Sequence, residues 1–123
     1  GGAYHTCVRP LLKNVVRCWG RNNFGQLGDG TTSERALPIT VSPVISSTDE
    51  VSKVALGYYH TCVLLGSGTV RCWGKNQNGE LGRGGAMSDY SVSIASVTNL
   101  GAGVKDIVSG GNHSCAILSR DQF

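Results

Sequence analysis

The sequence predicts an all-β chain made of β-propeller blades of four antiparallel strands, with about two and a third repeats. One observation is a repeated segment: the Cys7 to Cys62 spacing is 55 residues and the Cys62 to Cys115 spacing is 53. Another is the 18 glycines among 123 residues, which favour tight turns. No window of ten residues shows the apolar spacing of an amphipathic helix. Four short strands repeated about every fifty residues are typical of a propeller blade.

The middle copy contains all four predicted strands. They are separated by glycine or asparagine turns, which accept positive φ without a Cβ clash. If Cys62 and Cys72 face each other, Leu64 opposes Val70 and the hairpin turn centres on Ser67. The strands are Val51 to Gly57, Tyr59 to Leu65, Thr69 to Gly74 and Tyr90 to Ser96.

The flanking copies contain only some of these elements. We therefore predict one repeat domain over 1–123, with copies at about 1–50 and 51–103 and a partial copy at 104–123. The first copy has strands at Tyr4 to Arg9, Val15 to Gly20 and Leu37 to Ser42, and Val108 to Leu118 starts the third. Because two blades cannot close a propeller, we expect a segment of a longer propeller. A head-to-tail oligomer, in which Val104 to Gly110 adds a strand to the next copy, is the alternative.

The cysteines form two pairs at matching positions in the first two copies. Directly opposed residues on antiparallel strands can be bridged, so we predict the disulfides Cys7 to Cys18 and Cys62 to Cys72. Disulfides persist outside the cytosol, which predicts a secreted or surface-exposed protein. The alternatives are buried thiols or zinc sites that also use histidine, but the spacing matches no recognised zinc motif. The fifth cysteine, Cys115, belongs to neither pair, and we expect its partner beyond Phe123.

The charge pattern disfavours several classes of partner. The formal net charge is +3, spread without a basic cluster, so we expect no nucleic acid. No apolar segment has the length of a membrane span, so we expect no membrane insertion. No residues suggest a catalytic triad or a carboxylate pair, and we predict no enzyme activity, metal or cofactor.

The connections that differ between copies are the candidate binding sites, since loops on a repeated scaffold carry binding. They run over Asp29 to Ala36, Pro43 to Glu50 and Arg83 to Tyr90. From them we predict Arg35, Arg83, Met87 and Tyr90 as partner-binding residues. Trp19 and Trp73 are interpreted as apolar wedges between blades; stacking platforms for sugars or bases are the alternative.

Three motifs in fixed order carry a family resemblance. The segments AYHTCV, YYHTCVLL and GGNHSCAIL, with V-x-C-W-G and N-x-x-G-x-L-G following, resemble the regulator of chromosome condensation repeat. The form with cysteines resembles the variant of secreted or surface-exposed bacterial proteins. The resemblance implies a seven-bladed propeller whose loops bind other proteins, and structural roles for His5, His60 and His113.

The predicted function is an extracytoplasmic module for protein binding or structural assembly. The partner would be another protein or further copies of the chain. The alternative is a regulator or inhibitor of an enzyme, because the resemblance extends to secreted β-lactamase inhibitors and to exchange factors for a small GTPase. A glycan-binding lectin is less favoured, because it needs exposed aromatic side chains.

Overall fold

A computed structural model describes residues 4–9, 15–41, 50–82, 90–96 and 103–118, with the backbone alone for 90–96. All regular structure in these ranges is β-strand. The strands match the sequence prediction to within a few residues. The whole of β3 is shifted, since it begins and ends two residues before the predicted Leu37 to Ser42. They are β1 (His5–Val8), β2 (Arg17–Gly20), β3 (Arg35–Thr40), β4 (Val51–Leu56), β5 (His60–Leu65), β6 (Val70–Lys75), β7 (Tyr90–Ser96), β8 (Val104–Ser109) and β9 (Ser114–Leu118).

The strands form three antiparallel sheets, which are successive propeller blades. The orders are β1-β2-β3, β4-β5-β6-β7 and β8-β9. We number these sheets blades 1, 2 and 3. Among the described strands, blade 2 has four, blade 1 has three without a counterpart of β4, and blade 3 has counterparts of β4 and β5. The predicted fold class is confirmed. No helix in the described ranges is long and apolar enough to cross a membrane.

The register of the β5–β6 hairpin is the predicted one. Cys62 pairs with Cys72 and Leu64 with Val70. Gly68 takes a φ of +86° in the turn, where its amide donates to the Leu65 carbonyl oxygen at 2.9 Å. A glycine is needed here because this region of φ is unfavourable for side chains with a Cβ.

Both cysteine pairs lie at disulfide distance within their blades. Cys7 pairs with Cys18 across β1 and β2, and the Cα atoms of each pair are 4.1 Å apart. Cys115, at the equivalent position of β9, is an exposed free thiol. In the chain-entropy model, closing loops of these lengths stabilises the fold by about 2.5 to 3 kcal/mol per disulfide.

The seam between blades 1 and 2 is an apolar core built around Trp73. This side chain is fully buried, and its indole Nε1 donates to the Gln26 carbonyl oxygen at 2.9 Å. Gly28 lies against the ring, since a Cβ at this position would be 2.7 Å from Nε1. Trp73 is therefore a wedge between blades. The other buried residues of the cluster are Val16, Cys18, Leu27, Val41, Val51, Val63 and Leu65.

A histidine-to-hydroxyl hydrogen bond also crosses each of the two seams. His5 Nε2 lies 2.8 Å from Thr61 Oγ1, and His60 Nε2 lies 2.8 Å from Ser114 Oγ. The Thr61 hydroxyl donates its only proton to the Gln26 carbonyl oxygen at 2.7 Å. It must therefore accept from His5, so His5 carries its proton on Nε2.

Burial keeps these two histidines neutral. Desolvation, with the charge of nearby His60 adding to it, lowers the pKa of His5 to about 4. Desolvation is also the largest effect on His60 and lowers its pKa. Both histidines bind a proton less readily in the folded chain than in the unfolded one.

We predict that Trp73→Ala lowers the free energy of unfolding by about 3 to 5 kcal/mol, because it empties a buried site of a large side chain. Trp19→Ala is the matched control, since Trp19 holds the same place in blade 1 but is only half-buried. Urea unfolding followed by circular dichroism measures both values. Equal losses for the two variants would show that the buried position of Trp73 gives it no greater effect on stability than Trp19.

We predict that the chain loses stability as the pH falls from about 6.5 to about 4. These are the pKa values of His5 in the unfolded and in the folded chain. Within this window the unfolded state binds more protons, so acid favours unfolding. The loss from His5 is up to about 3 kcal/mol, at 1.36 kcal/mol per pKa unit. The measurement is urea unfolding at pH 7.5, 6, 5 and 4.

His5→Gln is the control for this pH dependence, because an amide can still donate to Thr61 but does not titrate. The variant should keep only the pH dependence of the other titrating groups, among them His60 and, at the acid end, Asp29. The assignment would be wrong if its stability fell with acid as steeply as that of the unchanged chain.

Candidate protein-binding surface

The connections between strands place one group of loops on a single side of the blades. Because neighbouring strands are antiparallel, the turn from β4 to β5, the loop from β2 to β3, the end of β6 at Lys75 and the start of β7 at Tyr90 all lie at the same strand ends. The residues just before β1 lie there too. The predicted binding loops around Arg35 and Tyr90 therefore face the same side.

Four aromatic rings from blades 1 and 2 meet on this side. Tyr4 stacks on Tyr59 with a centroid distance of 4.8 Å and an interplanar angle of 4°. Tyr58 meets Tyr4 edge to face at 6.1 Å, and Phe24 contacts Tyr59 at 5.1 Å. Tyr4 and Tyr58 remain 44% and 48% exposed. We call these four residues, with the two cations described next, the aromatic surface.

Two cations flank the rings. Arg21 Cζ lies 5.9 Å from the centroid of Tyr4, and Lys75 Nζ lies 5.5 Å from that of Tyr59 and 5.8 Å from that of Phe24. The ion pairs of the described residues lie elsewhere, between Arg35 and Asp29 and between Lys53 and Asp106. Among the described residues, therefore, no carboxylate neutralises Arg21 or Lys75.

A close turn holds the tyrosines in place. The Gly57 amide donates to the His60 carbonyl oxygen at 2.9 Å, and the His60 ring occupies the space that a Cβ on Gly57 would need. The Tyr58 amide donates to the Gly111 carbonyl oxygen at 3.0 Å, which ties the turn to blade 3. The Tyr58 ring rests on Gly111, where a Cβ would lie 2.7 Å from Cε2. The surface is thus supported by three blades.

Asp29 organises the loop that leads to Arg35. Its Oδ1 accepts from the Thr31 hydroxyl at 2.7 Å and from Asn22 Nδ2 at 3.2 Å, and its Oδ2 accepts from Arg35 Nε at 3.0 Å. Partial burial opposes ionisation of Asp29, but hydrogen bonds from Thr31, Arg35 and Asn22 outweigh it and lower the pKa. Arg35 is therefore held within its own loop, although 41% of its side chain remains exposed.

The predicted partner-binding residues stay predictions. Arg35 lies on the loop side, and Tyr90 begins β7 with its backbone opposite Lys75. Arg83 and Met87 lie outside the described residues, and so does the predicted loop Pro43 to Glu50 apart from Glu50 itself. The aromatic surface itself was not predicted, although a tyrosine directly before the histidine in AYH and YYH was a signal for it.

The chemistry of this region is that of a binding surface. In the described ranges, no three His, Cys, Asp or Glu side chains converge as metal ligands. The Nε2 atoms of the nearby His5 and His60 already form hydrogen bonds across the seams. Trp73 is fully buried, so it cannot act as the exposed sugar platform that a lectin would need. The exposed part of this region consists of the rings of Tyr4 and Tyr58 beside the positive charges of Arg21 and Lys75.

Some known proteins resemble this chain in sequence, and others resemble it in fold. The chain is 30% identical over 116 residues to the ultraviolet-B receptor UVR8 of Arabidopsis thaliana, covering 94% of this chain and 26% of the receptor. It is 31% identical to the X-linked retinitis pigmentosa GTPase regulator of Canis lupus familiaris, covering 94% of this chain and 11% of that protein. The chain therefore spans about a quarter or less of these relatives.

A solved structure of yeast RCC1 (Prp20) bound to Kap60 superposes with a TM-score of 0.81 at 20% identity, over 96% of this chain and 29% of that one. The model of the regulator of chromosome condensation (RCC1) repeat matches residues 16–64 and 67–117, and a second model of the same repeat matches residues 51–80. These matches cover most of the chain. The chain belongs to the family of regulator of chromosome condensation (RCC1) repeat proteins.

Proposed function

We propose that this chain is part of an extracytoplasmic β-propeller that binds other proteins through its aromatic surface. The observation that supports the proposal is the group of four contacting rings flanked by Arg21 and Lys75, without a carboxylate from the described residues to neutralise them. Aromatic and arginine side chains dominate the energetics of protein interfaces. Rings that are already packed together also lose little conformational entropy on binding.

The partner that fits this surface is an acidic segment with apolar or aromatic side chains. Its carboxylates would meet Arg21 and Lys75, and its apolar groups would cover the exposed parts of Tyr4 and Tyr58. The formal net charge of +3 also favours an acidic partner. Yeast RCC1, which has a similar fold, was solved bound to the protein Kap60.

The extracytoplasmic location is supported by the paired cysteines. The pairs Cys7 with Cys18 and Cys62 with Cys72 face each other in register with Cα atoms 4.1 Å apart. Such bridges persist in oxidising compartments and are rare in the cytosol.

Regulation of a partner enzyme is the second candidate function. It is favoured by the similarity to a relative named as a GTPase regulator. It requires the same surface, since a regulator must first bind the enzyme. The two candidates differ in whether binding changes the activity of the partner.

We predict that the random copolymer of glutamate and tyrosine binds the chain more tightly than polyglutamate, and that polylysine does not bind. The Arg21→Glu variant should bind the glutamate–tyrosine copolymer about tenfold more weakly, which corresponds to about 1.4 kcal/mol. Biolayer interferometry at two salt concentrations measures the affinities. Higher salt should weaken binding, because the charges are exposed.

Lys105→Glu is the matched control, since it makes the same change of charge on an exposed residue of β8, away from the aromatic surface. This variant should bind like the unchanged chain. If both substitutions weakened binding equally, net charge alone would be responsible and the aromatic surface would have no special role.

We predict that Cys7, Cys18, Cys62 and Cys72 are disulfide-bonded when the protein is isolated from its source without reductant, and that all four become free thiols after reduction. The structure pairs Cys7 with Cys18 and Cys62 with Cys72. Iodoacetamide added with guanidinium chloride at lysis alkylates every free thiol, and mass spectrometry of tryptic peptides shows which cysteines carry the added group before and after reduction. Alkylation of these four cysteines before reduction would contradict the extracytoplasmic location.

A further inference from the structure

The connection between β8 and β9 contains Asn112-His113-Ser114, which fits the N-x-S sequon for N-linked glycosylation. No other asparagine in the sequence has a serine or threonine two residues after it. The repeat pattern alone predicts a buried strand here, where such a sequon would stay unused. The structure instead ends β8 at Ser109 and begins β9 at Ser114, so Asn112 lies in the connecting turn and is exposed.

The place that Asn112 holds stays open in a blade that has a neighbour on each side. Tyr59 holds this place in blade 2, between blades 1 and 3, and remains partly exposed. Tyr4 holds it in blade 1 and is 44% exposed although it contacts blade 2. A group attached to Asn112 would therefore extend from the loop side into solvent and not into a seam.

The side-chain nitrogen of Asn112 is available for a covalent bond. The turn is closed by its backbone, since the Gly110 amide donates to the His113 carbonyl oxygen at 3.0 Å. Lys75 Nζ donates to Asn112 Oδ1 at 3.5 Å, and no group of the described residues forms a hydrogen bond with Nδ2. N-linked glycosylation uses Nδ2 and leaves Oδ1 as an acceptor, so the contact with Lys75 can persist.

We propose that Asn112 carries an N-linked glycan and that this glycan closes the aromatic surface to protein partners. The proposal rests on the extracytoplasmic location and on the binding surface proposed above. The donor is an oligosaccharide linked to a lipid pyrophosphate. Asn112 Nδ2 forms a bond to the anomeric carbon, and the bond from that carbon to the pyrophosphate oxygen breaks. The lipid pyrophosphate leaves with the electron pair, and the amide releases one proton.

The hydroxyl of Ser114 indicates when the transfer takes place. It lies 2.8 Å from His60 Nε2 and donates to the Glu80 carbonyl oxygen at 3.1 Å, in the seam between blades 2 and 3. The transferase must recognise this hydroxyl, so it acts before the seam closes, while the unfolded chain enters the secretory compartment. The folded chain then has only to accommodate the sugar, which the exposed turn does.

Asn112 lies at the border of the aromatic surface. One of its neighbours is Lys75, which is one of the two cations of that surface. The ring of Tyr58 rests on the adjacent Gly111, where a Cβ would lie 2.7 Å from Cε2. The first sugar therefore starts beside Tyr58 and Lys75, which the proposed acidic partner would cover. A glycan is bulky and hydrated, so it occupies this volume and excludes the partner.

Occupancy is tested on the protein isolated from its source. Peptide N-glycosidase F in H₂¹⁸O converts a glycosylated asparagine to aspartate labelled with ¹⁸O. Mass spectrometry of the tryptic peptide from Asp106 to Arg120 then shows the label, since Asn112 is its only asparagine. We expect the label in most chains.

An unlabelled peptide would overturn the proposal. If the cysteines of the same sample were disulfide-bonded, the extracytoplasmic location would still stand and only the glycan would be wrong. If those cysteines were free thiols, the location would be wrong as well.

Variants secreted from yeast test the assignment to this sequon. Ser114→Thr should raise the occupancy, because threonine is the better acceptor residue and blades 1 and 2 already have Thr6 and Thr61 at this place. Asn112→Gln should abolish the modification while keeping the hydroxyl that contacts His60. A glycan on the Asn112→Gln chain would place the modification elsewhere and contradict the assignment.

The closing of the aromatic surface is tested with the glutamate–tyrosine copolymer. Endoglycosidase H trims a high-mannose glycan to one N-acetylglucosamine and leaves the charge at position 112 unchanged. We expect the chain with the intact glycan to bind the copolymer at least tenfold more weakly than the trimmed chain or the Asn112→Gln variant. Equal binding of all three would show that the glycan leaves the surface open. If even the Asn112→Gln variant did not bind, the proposed binding surface itself would be wrong.

Discussion

The carbonyl oxygen of Gln26 is the point on which the packing of blades 1 and 2 depends. It receives the indole N–H of Trp73 and the hydroxyl of Thr61, and Thr61 in turn fixes the proton of His5. All of these groups are buried, so each would carry a desolvation cost if it lost its partner. One acceptor therefore fixes the positions of a wedge, a hydroxyl and an imidazole, and with them the angle between two sheets.

The aromatic surface is a consequence of this packing. Tyr4 belongs to blade 1 and Tyr59 to blade 2, and they stack at 4.8 Å because the seam beneath them is closed. The next residues along the chain are His5 and His60, whose rings lie within the seams. Stability and recognition are thus coupled through adjacent residues: one side chain points into the core and its neighbour lies on the surface.

The sequence predicted the contacts within a blade better than those between blades. Opposed cysteines and the glycine turn were enough to place Leu64 opposite Val70, because hairpin register is a local property. The partner of His5 is 56 residues away, and the stacking of Tyr4 on Tyr59 depends on the angle between two sheets. Similarly, nothing in the sequence reveals that Arg35 would be held by Asp29. Repeats indicate which residues are equivalent, but not which of them touch across a seam.

Both disulfides join strands of the same blade, and neither crosses a seam. The covalent bonds therefore reinforce the β1–β2 and β5–β6 hairpins but do not hold the blades to one another. Under a pulling force, as in a protein tethered at a surface, the non-covalent seams would part before the hairpins open. The chain would then lengthen in blade-sized steps, and each released hairpin would keep its register and could re-form the seam when the tension fell.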